Sequence, residues 1–138
     1  LFNRFNEAGL NNVCKDEAGN ATAVLPGTVG KRNILIAAHV DKIWEKKEDH
    51  TLSVSADAME GLGVADNSLG VAVLATIPLI LQKLGIELES NLILLGNTCS
   101  FGRGDLAGMR LIPLFAWKAR SWGGSVIPAW EWLVGRLK

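Results

Sequence analysis

The chain has 138 residues, of which 49% are hydrophobic and 20% are charged, so it is long enough and apolar enough for one folded domain with a substantial core. Fourteen basic residues balance fourteen acidic ones, which argues against binding to nucleic acid or to an anionic membrane surface. Cys14 and Cys99 are far apart and form no metal or redox motif with each other, and no signal peptide is visible, so we expect a reducing, cytoplasmic location.

The first part of the chain alternates predicted helices and strands. Helical spacing of apolar residues over 1–9 predicts the end of an amphipathic helix that Gly9 terminates. Strands are predicted at residues 13–16, 21–25, 33–40 and 91–95, with a short extended piece at 51–56. The strand at 33–40 is apolar on both faces, which is typical of a buried strand in a parallel sheet.

A long apolar helix is predicted from Ser68 to Leu84. Asn67 is placed to cap its beginning, Gly85 ends it, and Pro78 introduces a kink. Its apolar stretch is shorter than the roughly 20 residues that a membrane span requires, so we expect a buried helix and no membrane insertion. A turn at 102–104 and a helix capped by Asp105 follow the last strand. This alternation predicts an α/β sheet with helices on its faces.

The composition changes near Leu111, which suggests a boundary between residues 1–110 and a tail at 111–138. Four of the five tryptophans lie between Trp117 and Trp132. Four interpretations stay open: the tail covers a hydrophobic surface, it forms a platform for a sugar or peptide, it is poorly ordered, or it comes from a shifted reading frame.

Two short segments carry the ionisable residues of interest. His39 and Asp41 follow the apolar strand directly, and Asp66 immediately precedes the long helix. In α/β folds, ligands bind where strands end and helices begin. A histidine and a carboxylate brought to one crevice are ligands that zinc uses, so these residues are candidates for a metal site.

Five segments in order resemble the first half of the catalytic domain of the dinuclear zinc exopeptidases, a superfamily that includes bacterial aminopeptidases, peptidase T and glutamate carboxypeptidases. These segments are RFNEAGL at 4–10, DEAGN at 16–20, ILIAAHVD at 34–41, ADNSLGVA at 65–72 and GRGDLAG at 102–108. The resemblance implies a three-layer α/β sandwich with a mostly parallel central sheet, of which this chain would be a truncated form.

The resemblance also implies roles for individual residues. His39 corresponds to the histidine ligand of one metal, and Asp41 to the carboxylate that orients its imidazole. Asp66 corresponds to the carboxylate that bridges two zinc ions. Asn67 stands where the family often has Asp or Asn after the bridging residue, sometimes joined to it by a cis peptide.

The chain departs from the family after the strand at 91–95. The family carries Glu-Glu-Gly there, the first glutamate being the general base and the second a metal ligand. Aligned on Gly102, this chain has Ser100 and Phe101 in those places. Serine is a poor general base and phenylalanine cannot bind zinc. The family's distal histidine has no counterpart, since no histidine follows His50.

Two hypotheses for function follow. In the first, the chain resembles a zinc-dependent exopeptidase or amidohydrolase that acts on a peptide or small amide, with activity impaired by the missing glutamates. In the second, it is a non-catalytic relative that serves as an interaction or self-association module. An open sheet edge and an uncovered apolar face favour a homo-oligomer. Cys99 is open to three interpretations: a replacement ligand, a nucleophile, or a buried free thiol.

Overall fold

A computed structural model describes residues 1–101 and 107–110, which form an α/β unit built on a four-stranded sheet. Its elements are α1 (Phe2–Glu7), β1 (Asn11–Lys15), β2 (Ala21–Leu25), β3 (Asn33–His39), β4 (Ser53–Val54), β5 (Met59–Glu60), α2 (Leu69–Leu84), β6 (Asn91–Asn97) and α3 (Ala107–Arg110). The predicted tail at 111–138, the turn at 102–104 and the cap Asp105 lie outside the described residues.

The sheet has the strand order β1-β2-β6-β3, and only one of its three pairings is parallel. The prediction of a mostly parallel sheet was therefore wrong for this part of the chain. The tight turn between Lys15 and Ala21 forces β1 and β2 to be antiparallel, because a parallel pair needs a connection of a dozen or more residues. Only β3 and β6, which α2 connects, meet that requirement.

The main hydrophobic cluster lies on one face of the sheet. Leu94 of the central strand β6 pairs with Ala23 of β2 on one side and with Ile36 of β3 on the other. The side chains of these three residues therefore point to the same face of the sheet. Phe5 of α1 and Leu74 of α2 are both fully buried in the same cluster. α1 and α2 therefore lie on the same face of the sheet and together form one helical layer, not the two layers of a three-layer sandwich.

Burial along the strands differs from the prediction at β3. The strand was expected to be buried on both faces, but Ile34 is 47% exposed and Ala37 is also exposed. The reason is its position, since β3 is the outermost strand of the described sheet. The central strand β6 is the buried one, with Leu92, Leu94 and Leu95 almost completely covered.

Helix α2 ends as predicted, with Gly85 in the left-handed region at φ 63°. Its other features differ. The cap position is Ser68, not Asn67, and no side chain makes a capping hydrogen bond there. The helix is also not buried as a whole: Leu74 and Pro78 are its buried residues, and most of its remaining surface faces solvent.

By length and composition the segment Val64–Leu84 is apolar enough to cross a membrane. In this fold it forms the connection between the paired strands β3 and β6, and it begins with a π-type turn, Val64–Ser68. Crossover helices of α/β proteins are commonly apolar on the side that faces the sheet. Asp66, within the turn, leaves helical geometry and directs its side chain toward β3.

Candidate metal half-site

The parallel pairing of β3 and β6 places their carboxyl ends side by side, with His39 opposite Asn97. The turn that precedes α2 brings Asp66 to the same edge of the sheet. There the His39 Nε2 atom lies 2.9 Å from Asp66 Oδ1. The two residues that the sequence nominated as metal ligands are thus brought into direct contact. The peptide bond between Asp66 and Asn67 is cis.

The two ring nitrogens of His39 both face oxygen atoms. Nδ1 lies 3.2 Å from the main-chain carbonyl of Asp41, which only accepts hydrogen bonds, so Nδ1 must donate. Nε2 faces the carboxylate of Asp66, which also only accepts when ionised. A neutral imidazole carries one proton and cannot satisfy both contacts. A proton or a cation between Nε2 and Oδ1 would make both contacts favourable.

The His39–Asp66 pair is partly exposed, so a cation from solvent can reach it. The Asp66 side chain is 66% exposed and that of His39 is 21% exposed. The histidine is thus held by its surroundings, while the carboxylate is open to solvent. An ion pair as exposed as His39 and Asp66 contributes little to the stability of the fold. We therefore consider the short distance between the two side chains in relation to ligand binding.

Asp41 holds the site in a different way from the one predicted. The imidazole of His39 is oriented by the Asp41 main-chain carbonyl rather than by its carboxylate. The carboxylate Oδ2 accepts hydrogen bonds from the main-chain N–H groups of Ser100 at 2.8 Å and Phe101 at 3.3 Å. Asp41 therefore ties the loop after β3 to the loop after β6. Its second oxygen, Oδ1, is buried and has no hydrogen-bond partner among the described residues.

The two residues in place of the expected glutamates have structural contacts. The Ser100 hydroxyl accepts a hydrogen bond of 2.6 Å from the Asn97 side chain. The Phe101 ring meets the His39 imidazole edge-on, with centroids 4.7 Å apart. Neither side chain offers a base or a metal ligand to the His39–Asp66 pair. The contact between Phe101 and His39 was not predicted from the sequence.

The remaining candidates lie apart from the pair. Cys99 is a half-buried free thiol with a positive φ of 55°. His50 is in an exposed loop, where its ring nitrogen contacts the Glu45 carbonyl. Among residues 1–101 and 107–110, no group of three or more His, Cys, Asp or Glu side chains is placed to hold a metal ion. Cys99 therefore does not complete a three-ligand cluster with His39 and Asp66.

Asn20 supports this edge of the sheet and was not recognised from the sequence as more than a turn residue. It is fully buried. Its side-chain nitrogen donates to Asp16 Oδ2 and to the Gly108 carbonyl, and its oxygen accepts from the Thr98 main-chain N–H. Asn20 thereby links the start of β2, the end of β6 and α3. The only sequence signal for this role is its place at the end of the 16–20 turn.

A zinc ion in proteins usually has four ligands, or three and a water molecule. His39 and Asp66 supply two candidate ligand atoms, Nε2 and Oδ1, which lie 2.9 Å apart. The rest of the described residues do not complete the set. Among the described residues, two side chains of metal-binding type therefore meet at this edge of the sheet without a third.

The fold is similar to that of two solved peptidases. A tripeptidase from Staphylococcus aureus subsp. aureus Mu50 matches with a TM-score of 0.59 and 17% sequence identity, over 69% of this chain and 28% of that one. Aminopeptidase PepT from Bacillus cereus ATCC 10987 matches with a TM-score of 0.57 and 19% identity, again over 69% of this chain and 28% of that one. No protein-family model and no curated protein matches the sequence.

At these identities the similarity concerns the fold. The match spans little more than a quarter of either peptidase. This chain therefore shares a fold with one part of each of these two peptidases.

Proposed function

We propose that this chain represents part of the catalytic domain of a zinc exopeptidase-type hydrolase that acts on terminal peptide or amide bonds, and that hydrolysis is impaired in the chain as it stands. The shared fold with the tripeptidase and PepT supports the first statement. In the complete domain, further helices would cover the second face of the sheet and give a three-layer sandwich. The proposed location is cytoplasmic.

The observation that carries the proposal is the 2.9 Å contact between His39 Nε2 and Asp66 Oδ1. Both atoms are acceptors in their metal-binding states, and a divalent cation between them would relieve their mutual repulsion. A histidine held by a main-chain carbonyl on Nδ1 presents Nε2 with a fixed direction, which is the usual arrangement for a metal-binding histidine.

The same geometry explains why hydrolysis would be impaired. Metal-assisted hydrolysis needs a group that takes a proton from water. Ser100 stands in the expected place, but its hydroxyl is engaged by Asn97 and has no base beside it among the described contacts. Phe101 places an apolar ring where a second ligand would be expected. A metal held by His39 and Asp66 alone would bind weakly.

A second candidate is a non-catalytic chain that keeps the peptidase fold without binding metal. Its support is the lack of a three-ligand cluster among residues 1–101 and 107–110. In that case a proton would occupy the place of the cation between His39 and Asp66, and the pair would be only a partly exposed ion pair.

Metal binding decides between the two candidates. We would titrate chelator-treated protein with Zn²⁺ and with Co²⁺, whose visible absorption reports its ligands, and compare His39→Ala and Asp66→Asn with the control His50→Ala. The impaired-enzyme proposal expects one weak site whose affinity falls about tenfold or more in the first two variants and is unchanged in the third. Equal binding in all variants, or none in folded protein, would favour the non-catalytic candidate.

A peptide-hydrolysis assay completes the test. Tripeptides and an aminoacyl p-nitroanilide would be incubated with the zinc-loaded chain and with His39→Ala. The proposal expects no turnover above that of His39→Ala. Turnover that is lost in His39→Ala but kept in His50→Ala would show that the chain hydrolyses peptides. The proposal that its hydrolysis is impaired would then be wrong.

A further inference from the structure

The loop that follows His39 folds back onto the turn that carries Asp66, and the two segments meet at Gly63. A Cβ atom built on Gly63 would lie 3.4 Å from Lys42 Cδ and 3.4 Å from Trp44 Cδ1. The same point is 3.3 Å from the main-chain carbonyl oxygen of Asp66. The Lys42 and Trp44 side chains therefore lie against this turn, and we call these two residues the flanking pair.

The loop that carries the flanking pair is held in place by its own contacts. The Glu45 main-chain carbonyl accepts a hydrogen bond of 3.1 Å from the Glu48 main-chain N–H and lies 2.9 Å from His50 Nε2. Further along, a Cβ atom built on Gly61 would lie only 3.0 Å from the main-chain oxygen of Thr51. The loop is therefore bonded within itself and packed against the turn.

The flanking pair combines a free cation with an exposed aromatic ring. Within the described part of the chain, Lys42 makes no ion pair and no hydrogen bond, whereas Lys47 of the same loop contacts Glu45 at 2.8 Å. Trp44 is 42% exposed. An ammonium group binds a carboxylate, and an indole ring packs against an apolar or aromatic side chain. Together they suit a ligand that carries both groups.

We propose that the flanking pair binds the C-terminal residue of a peptide, Lys42 its α-carboxylate and Trp44 its apolar side chain. This inference rests on the proposed function and adds to it the end of the peptide that is recognised. One residue of extended chain spans about 3.5 Å, so a carboxylate held by Lys42 keeps the amide bond before it close to the turn that carries Asp66.

Charge favours a carboxylate over an amino terminus in this position. A metal ion at His39 and Asp66 would add its positive charge to that of Lys42. The crevice would then attract an anionic group and repel the α-ammonium group of an N-terminal residue. The flanking pair therefore favours cleavage at the carboxyl end of a peptide.

Nuclear magnetic resonance of the tryptophan indole N–H groups measures this binding. The Trp44 signal is the one that Trp44→Phe removes. The full, chelator-treated chain would be titrated with acetyl-alanyl-phenylalanine and with its C-terminal amide, the matched ligand without a carboxylate. We expect the acid to shift the Trp44 signal and to bind about threefold or more tightly than the amide. Equal affinity for the two ligands, or no shift of the Trp44 signal, would overturn the proposal.

The variant Lys42→Met tests the cation, because methionine keeps most of the side-chain stem and lacks the charge. Its affinity for the acid should fall about threefold or more, to the level of the amide. Lys47→Met is the matched control, since it removes an exposed lysine from the same loop. An equal loss in both variants would mean that only net charge matters, and the proposal would be overturned.

The variant Trp44→Ala tests the ring, with binding followed on the main-chain amide signals. It should weaken acetyl-alanyl-phenylalanine about threefold or more and leave acetyl-alanyl-alanine unchanged, because only the first ligand places a ring on the indole. An equal loss for both ligands would overturn the assignment of the side chain to Trp44.

The variant His39→Ala separates this inference from the proposed metal site. It removes a metal ligand and keeps the flanking pair, so its affinity for the acid in the absence of metal should equal that of the parent chain. Failure of the zinc titration would leave this result standing. Loss of acid binding in His39→Ala would assign the carboxylate to the imidazole and overturn the role of Lys42.

Discussion

The Phe101 ring stands edge-on against the His39 imidazole, with the two planes at 87° and the centroids 4.7 Å apart. The contact limits the rotation of the imidazole without occupying Nε2, which stays directed at Asp66. Phe101 therefore supports the orientation of the histidine while withholding the ligand that the peptidase resemblance would place there.

Carboxylates introduced at positions 100 and 101 should strengthen metal binding. We expect the double variant Ser100→Glu, Phe101→Glu to bind Co²⁺ about tenfold or more tightly than the parent chain, because it adds oxygen ligands beside His39 and Asp66. A spectrophotometric titration measures this change. The matched control replaces both residues with glutamine, which has the same size and no charge. Equal affinity in the two double variants would show that a carboxylate at neither position reaches the metal.

The Asp41 carboxylate should contribute to stability rather than to metal affinity. It accepts main-chain hydrogen bonds from Ser100 and Phe101, so Asp41→Ala leaves both donors without their partner. We expect a loss of about 1–3 kcal/mol in the free energy of unfolding, measured by urea denaturation. Asp41→Asn keeps one acceptor oxygen and should recover much of that loss.

Asp57→Ala is the control for Asp41. Asp57 also accepts a hydrogen bond, from the Ser55 hydroxyl, but it is exposed, so its removal should change stability by less than about 0.5 kcal/mol. A similar loss in both aspartate variants would contradict the structural role given to Asp41.

Gly70 leaves room for the Asn67 side chain at the start of α2. A Cβ atom at Gly70 would collide with the side-chain amide of Asn67, so Gly70→Ala must displace Asn67 and disturb the adjacent Asp66. We expect weaker Co²⁺ binding in this variant.

At Gly85, the control position, a Cβ would meet nothing within 4 Å, but φ is +63°. Gly85→Ala should therefore lower stability by about 1–2 kcal/mol and leave metal binding unchanged.

Asn20 is expected to be among the most sensitive polar residues of the fold. Asn20→Ala removes the partner of the Thr98 main-chain N–H and of the Gly108 carbonyl. Because these groups are covered, we expect a loss of about 1–3 kcal/mol in thermal or urea unfolding. Asn6 is a fair comparison, since it is exposed and donates a single side-chain bond to the Phe2 carbonyl. If Asn6→Ala lowers the stability by the same amount, the burial of Asn20 is not the reason for the loss in Asn20→Ala.

The amino-acid sequence by itself determined the local elements. Apolar runs bounded by turn residues located β2 at its observed limits and β3 and β6 to within two residues, and Gly85 marked the end of α2. These features depend on neighbours in the chain, such as alternation, turn chemistry and the freedom of glycine at positive φ, so a single sequence contains them.

Only the tertiary structure decided which surfaces are buried and how the strands pair. β3 and β6 have similar apolar runs, but β6 is central and β3 is at the edge, and nothing local distinguishes those places. In the same way α2 has apolar residues on several sides, and only its packing on the sheet selects Leu74 for the core and leaves Ile80 exposed.

The site divides in the same way. The sequence nominated His39 and Asp66 from motif and position, because their residue types carry the chemistry. Their 2.9 Å contact, the edge-on Phe101 and the binding of the Asp41 carboxylate to the loop after β6 arise from three segments brought together by the parallel pairing of β3 with β6. Such contacts join residues about 25 to 60 positions apart, and only the folded sheet determines their geometry.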